Sequence, residues 1–173
     1  MPQFVAIDPA VEVNGRTILA TIAGVGPLAT QLFTDRGIET IDPQGWYSQQ
    51  MWLDVLKELT DRGIAMQLAG MSIPQNADFP PDIDGIHAAL ASIDVAYRMN
   101  HRGGEIGSYQ YEKIGPTHAR LICDNPYPSD FDYGIIYQMA TVFSPPGTSI
   151  TVERAPAPSR LNGDDTCIYD VMW

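Results

Sequence analysis

Three histidines and two cysteines are the side chains of this 173-residue chain best suited to hold an ion or act as nucleophiles. Haem iron takes a protein donor, most often histidine. His87 falls on a predicted helix beside Ile83, Ile86 and Leu90, the setting a haem-ligating histidine needs, although a half-buried helix histidine satisfied by a nearby acid looks the same. His101, between Asn100 and Arg102, could bond a polar ligand or be a solvated turn residue. Cys167 has no activating histidine in its sequence surroundings, so it reads as a small buried hydrophobe in a strand. Asp130 and Asp132 are accounted for by a helix start, and Asp164-Asp165 by a turn. No nucleophile elbow, phosphate loop or zinc-protease motif occurs, so no catalytic residue is expected and an enzymatic role has no template.

Aromatic residues suggest binding instead. Trp46, Tyr47, Trp52, Tyr97, Tyr109, Tyr111, Tyr127, Phe131 and Tyr133, with Met66, Met71 and Met99, would either build an ordinary core or line a cavity between helices and sheet. In the cavity reading, the ligand-binding set is Trp52, Tyr97, Met99, His101, Tyr109, Tyr127 and Phe131, and the ligand is a small apolar or aromatic molecule.

The elements that must position these residues divide the chain. Helices are expected from Asn14 or Gly15 through Ala23, from Leu28 to Arg36 after Pro27, from Gln49 to Arg62 capped by Ser48, and from Asp82 to about Ser92. A further turn or two is expected within Ile64 to Pro74, and a loop over 75–81. Strands follow: Val95, Tyr97, Met99 and His101 alternate before a Gly103-Gly104 turn, then come Ile106 to Ile114, His118 to Asp124, Thr148 to Arg154 and Thr166 to Trp173. Between the third and fourth of these, Asn125-Pro126-Tyr127-Pro128 makes a rigid corner. Ser129 is placed to cap the helix after it, whose buried face is Ile135, Ile136, Met139, Ala140 and Phe143. The expected class is α+β, one domain over 1–173, with a helical half (1–92) packed on a mainly antiparallel sheet of about five strands (93–173) and one inserted helix.

Ten basic against 21 acidic residues give a net charge of −11, and only Lys57 and Lys113 are lysines, so nucleic acid and anionic membranes are not expected partners. The opening lacks a basic and apolar leader pattern, and no apolar run approaches the roughly 20 residues that span a bilayer. A cytoplasmic protein with reduced thiols is the simplest expectation.

The run Asn125-Pro126-Tyr127-Pro128-Ser129-Asp130-Phe131-Asp132-Tyr133-Gly134 and the ending Gly163, Cys167, Tyr169, Trp173 resemble the 4-vinyl-reductase and haem-NO-binding-like superfamily of bacterial sensory domains, which shares its fold with vesicle-tethering TRAPP subunits. Weaker similarity extends through Phe79 to Asp84 and Asp94 to Arg102. The resemblance implies a sensory module signalling through a separate effector protein. It leaves two alternatives: a tetrapyrrole-related enzyme or accessory factor, and a ligand-free scaffold subunit. Some relatives hold zinc, but Ser129 and Ser159 stand where cysteines would be expected and Pro156 where an acid would, leaving Cys167 with Cys123 and Glu153, so no zinc is expected. The Y-x-S-x-R signature by which haem-NO-binding domains hold porphyrin propionates is also missing. The cofactor expectation is therefore none, with His87 the residue that would ligate haem if it were held. Domains of this kind pair, and the apolar residues Ile18, Leu19, Ile22, Val25, Leu28, Leu32 and Phe33 point to a homodimer through the N-terminal helices.

Overall fold

The computed structural model describes residues 3–76 and 79–173, so 77 and 78 of the expected 75–81 loop lie outside the described residues. A short strand β1 (Glu12–Asn14) leads into α1 (Gly15–Val25), whose first turn is capped by the Asn14 side chain accepting from Thr17 N–H at 2.9 Å. The chain breaks at Gly26, and Pro27 opens α2 (Pro27–Thr34). Next come β2 (Trp46–Ser48) and α3 (Gln49–Asp61), where Gln49, Trp52, Leu53, Val55, Leu56 and Leu59 form the buried face and Ser48 is the cap. The short α4 (Met66–Met71) runs into a 3-10 turn (Ile73–Gln75), and α5 spans Gly85–Met99. After β3 (His101–Arg102) come β4 (Ser108–Gly115), β5 (His118–Asp124), α6 (Ser129–Val142), β6 (Thr151–Arg154), a 3-10 turn (Arg160–Asn162) and β7 (Cys167–Met172).

The class is α+β, with six α-helices and two antiparallel sheets among the described residues. One sheet is a ribbon ordered β2-β1-β3, and the other is ordered β4-β5-β7-β6. The single sheet of about five strands is thus corrected. The reason lies in Val95 to Met99, which alternate in type yet continue the helical stripe Ile86, Ala89/Leu90, Ile93, Ala96/Tyr97, all buried. Burying that stripe along one helix face outweighs a period-2 pattern of five residues. Consequently α5 runs to Met99, and Gly103-Gly104 does not join two adjacent strands: β3 pairs with β1, Val13 opposite His101.

α6 is the central element, contacting α4, α5 and both β6 and β7. It meets α4 backbone to backbone at two glycines. A Cβ on Gly70 would sit 2.0 Å from the Phe131 carbonyl oxygen, and one on Gly134 would sit 2.1 Å from that of Gln67. Only residues without side chains permit this approach, which fixes the first turn of α6 against α4.

The N-terminal helices hold less free apolar surface than their composition suggests. Ile18, Leu32 and Phe33 are buried in the monomer core, Ile22, Val25 and Leu28 pack against it, and Leu19 is the one well exposed at 37%. Phe33 stacks on Trp52 with centroids 5.6 Å apart. No helix is long and apolar enough to cross a membrane among the described residues.

Candidate functional site

The turn between β5 and α6 builds the site. Asn125 is fully buried, and its Oδ1 accepts the Tyr127 N–H at 2.9 Å, closing the turn that Pro126 and Pro128 stiffen. Pro128, not Ser129, is the helix cap. Ser129 is buried, and its hydroxyl lies 3.1 Å from Cys167 Sγ. Tyr127 and Phe131, stacked with centroids 5.4 Å apart, then project into a cavity also walled by Thr17 of α1 and by Ile93, Ala96 and Tyr97 of α5. Asn100, His101, Tyr109 and Ile135 complete much of the wall. Asn100 ties α1 to α5 there: its Oδ1 accepts from Asn14 Nδ2 at 2.7 Å and from the Thr17 hydroxyl at 3.2 Å.

His101 is the polar centre of this wall. Its Nδ1–H donates to the Tyr97 carbonyl at 2.7 Å, so Nε2 is the acceptor, and the Tyr127 hydroxyl donates to it at 2.7 Å. Burial pushes the imidazole pKa down to about 4, keeping the ring neutral. Burial likewise raises the phenols of Tyr97, Tyr109 and Tyr127. The Gln49 amide, fully buried on α3, lies close enough to the Tyr97 and Tyr127 hydroxyls to oppose that rise without making an aligned hydrogen bond.

Behind Tyr127 lies a buried ion pair. Arg160, 3% exposed, pairs through Nη2 with Asp132, which is fully buried. Its Nη1 donates to the Tyr127 carbonyl at 2.8 Å, to Asn125 Oδ1 at 3.0 Å and to the Asn125 carbonyl. Asp132 also accepts from the Tyr109 hydroxyl at 2.5 Å and from Asn125 Nδ2. Burial raises the Asp132 carboxyl, with Arg160 the strongest force against that rise, and the carboxylate in turn raises Arg160 against its own burial. Asp132 is therefore half of a buried pair and not a solvated helix-start carboxylate; Asp130 pairs at the surface with Arg154 at 2.8 Å. At Cys167, burial pushes the thiol up, but the Ser129 hydroxyl and the Arg160 N–H, 3.2 Å away, outweigh it and lower the pKa.

Five of the seven residues expected to bind a ligand, Tyr97, His101, Tyr109, Tyr127 and Phe131, are brought together at the cavity. Trp52 is buried on α3 against Phe33, and Met99 is 47% exposed beside a separate surface cleft with Asn14, Arg16 and Trp46. His87 lies away from the cavity. Its Nδ1 accepts from the Tyr111 hydroxyl at 2.7 Å, its Nε2 donates to the Pro116 carbonyl at 3.0 Å, and its ring packs edge-on to Trp173. Among the described residues, no three His, Cys, Asp or Glu side chains are grouped to hold a metal. Arg160, which the sequence pattern does not mark, is the corner's partner from outside it.

No protein-family model matches the sequence, and no curated protein is similar to it. The structure does have clear neighbours. An H-NOX protein from S. oneidensis in the Fe(II) ligation state superimposes with a TM-score of 0.69 at 11% identity, covering 92% of this chain and 95% of that one. The fold is that of the H-NOX proteins. An Fe(II) unliganded H-NOX protein from K. algicida gives a TM-score of 0.62 at 12% identity, covering 92% and 96%. A structure described by the modulation of haem redox potential through protein-induced porphyrin distortion gives 0.63 at 12%, covering 92% of each chain. These neighbours overturn the expectation that haem could be set aside: they are iron and haem proteins, and they share this fold over nearly its whole length. An ordinary reading of His87 and a missing Y-x-S-x-R signature are too narrow a basis for setting it aside.

The chain's own residues fit a porphyrin only in part. Tyr127-Pro128-Ser129-Asp130-Phe131 keeps the tyrosine and serine of the Y-x-S-x-R pattern, with Phe131 at the arginine position, 3% exposed. His101 has the chemistry of an iron donor, a neutral ring oriented by a backbone carbonyl. The cavity measures about 40 Å³, against the roughly 300–1,000 Å³ typical of ligand pockets. Seating a porphyrin there would require α1, α5 and α6 to move apart.

Proposed function

We propose that this protein is a sensory domain in which occupancy of the cavity between α1, α5 and α6 alters how these helices pack, and that a separate effector protein reads the change. The observation that carries the reading is the His101–Tyr127 contact. It lies on the cavity wall and joins the end of α5 to the corner before α6, so anything seated there competes with a bond between two elements. A ligand shifts such an equilibrium by its difference in affinity for the two packings. Haem is the occupant that the structural neighbours support first, which makes gas sensing the leading form of the proposal. His101, not His87, is the residue proposed to hold it. When bound, haem iron would supply a site for a small gas molecule. The chain's own part is to keep His101 neutral, to aim its Nε2 inward through the Tyr97 carbonyl, and to surround the site with Ile93, Phe131 and Ile135.

Absorbance spectra of the purified protein, before and after addition of hemin, test this. The proposal expects a Soret band that survives His87→Ala and is lost in His101→Ala. A band lost in His87→Ala and kept in His101→Ala would move the iron-holding role to His87 and refute the His101 assignment.

A further inference from the structure

We infer that Tyr127 is a lever coupling the cavity to the 155–166 loop, which makes that loop an output element of the domain. The inference rests on the cavity being the sensory site, and three observations carry it. First, both ends of Tyr127 are engaged: its hydroxyl on His101 at the cavity, and its carbonyl on Arg160 of the loop at 2.8 Å. Second, it lies between Pro126 and Pro128. Their rings fix φ on either side and hold Tyr127 itself extended, which leaves the backbone of the corner few rotations with which to absorb a pull on Tyr127. Third, it is the Arg160 side chain that ties the loop to the corner. Leu161 to Asp165 are exposed, whereas the Arg160 guanidinium is buried among Asn125, Tyr127 and Asp132. The loop is also held to β7 by the Ala155 N–H to the Ile168 carbonyl at 2.9 Å and the Arg160 N–H to Cys167 Sγ at 3.2 Å, and within itself by Asn162 N–H to the Ser159 carbonyl at 2.9 Å and Ser159 N–H to Asp164 Oδ2 at 2.8 Å.

A change at His101 that pulls or releases the Tyr127 hydroxyl therefore moves the acceptor that Arg160 holds, and Arg160 carries the loop with it. Coupling of this kind is reciprocal, so loosening the loop must also be felt at His101. The discrete element is the corner: its turn is fixed by the Tyr127 N–H to Asn125 Oδ1 bond, and Asn125 is itself clasped by Arg160.

The test uses the ligand-free protein, so its outcome is independent of whether haem or anything else binds. Tyr127→Phe removes only the hydroxyl. Amide exchange followed by NMR is expected to show a selective loss of protection at Asn162, Gly163 and Asp164, roughly tenfold beyond any loss in β5 and β7, the size of one ordinary buried hydrogen bond. The reciprocal arm is Asp164→Ala, which removes a loop bond at an exposed residue. Loosening the loop is expected to be felt at the corner as a selective loss of amide protection at Tyr127, whose N–H is held by Asn125 Oδ1, again roughly tenfold beyond any loss in β5 and β7. Evenly spread loss of protection in Tyr127→Phe, or an Asp164→Ala protein in which Tyr127 keeps its protection, overturns the inference. Should Tyr127→Phe fail to fold, the Asp164→Ala arm decides alone. Hemin binding with no such coupling would sink the lever and leave the sensory reading standing, whereas coupling without any ligand would do the reverse.

Discussion

Replacing Arg160 by methionine removes a charge that four buried acceptors share. The substitution keeps much of the side chain's length but leaves the Asp132 carboxylate, fully buried, without its counter-ion, and the Tyr127 carbonyl without its donor. Breaking a buried pair from one side costs about 3–5 kcal/mol, a large part of the 5–15 kcal/mol by which such domains are typically stable. The loss has a ceiling, because Asp132 can take up a proton. Burial already raises its pKa with Arg160 opposing, so removing the guanidinium raises it further. A carboxyl whose folded pKa lies above its unfolded value favours the folded state more as pH falls, so the deficit of Arg160→Met should shrink below pH 7, by up to about 1.4 kcal/mol per unit while the pH stays below the new pKa. Urea unfolding of both proteins at pH 7.5 and 5.0 measures this. The double variant Arg160→Met/Asp132→Leu should be more stable than Arg160→Met at pH 7.5, since no unpaired charge remains. A single-variant cost under about 1 kcal/mol, or a deficit that grows on acidification, would refute the reasoning.

His101 has the opposite sign. Its folded pKa of about 4 lies below the ordinary value of 6.5, so its contribution is complete above 6.5 and is lost as pH falls toward 4. About 3 kcal/mol follows from that difference, and His101→Gln should flatten the stability profile over this window in urea titrations. Gly70→Ala forces a Cβ onto the Phe131 carbonyl and should cost at least about 1–3 kcal/mol, read as a lower urea midpoint. Leu32→Asp should unfold the chain outright by circular dichroism, because Leu32 is core and not a free dimer surface; a folded variant would return the α1–α2 face to consideration as an interface.

Elements whose local pattern and burial agree were legible in the sequence. The alternation of Ala119, Leu121 and Cys123 gave β5 with its bounds at His118 and Asp124, and the stripe from Trp52 to Leu59 with the Ser48 cap gave α3. Val95 to Met99 fit two periods at once, and only packing against α6 and the cavity decides for helix. The site was half legible. Tyr127 and Phe131 stand in a motif whose stiffness is visible in its prolines, whereas Arg160 sits in Ser159-Arg160-Leu161, which has no periodicity to mark a buried cation. The available hint was its partner: Asp132 precedes Ile135, Ile136 and Met139 by three, four and seven residues, placing an acid on the buried face of α6, where it needs a counter-charge. His87 drew attention through its apolar neighbours in sequence, yet Ile86 and Leu90 belong to the stripe that reaches the cavity only farther on, at Ile93 and Tyr97, while the His87 ring turns to Tyr111 and Pro116.

The central claim is that the cavity beside His101 is a ligand site coupled to helix packing. The most direct measurement is a backbone and methyl NMR spectrum of the protein titrated with hemin. The account predicts shifts or line broadening at Ile93, Ile135 and the His101 ring, spreading to the corner at Asn125 and Tyr127. A spectrum in which these positions stay fixed at saturating hemin, or in which hemin perturbs only the surface around His87 and Trp173, would contradict it.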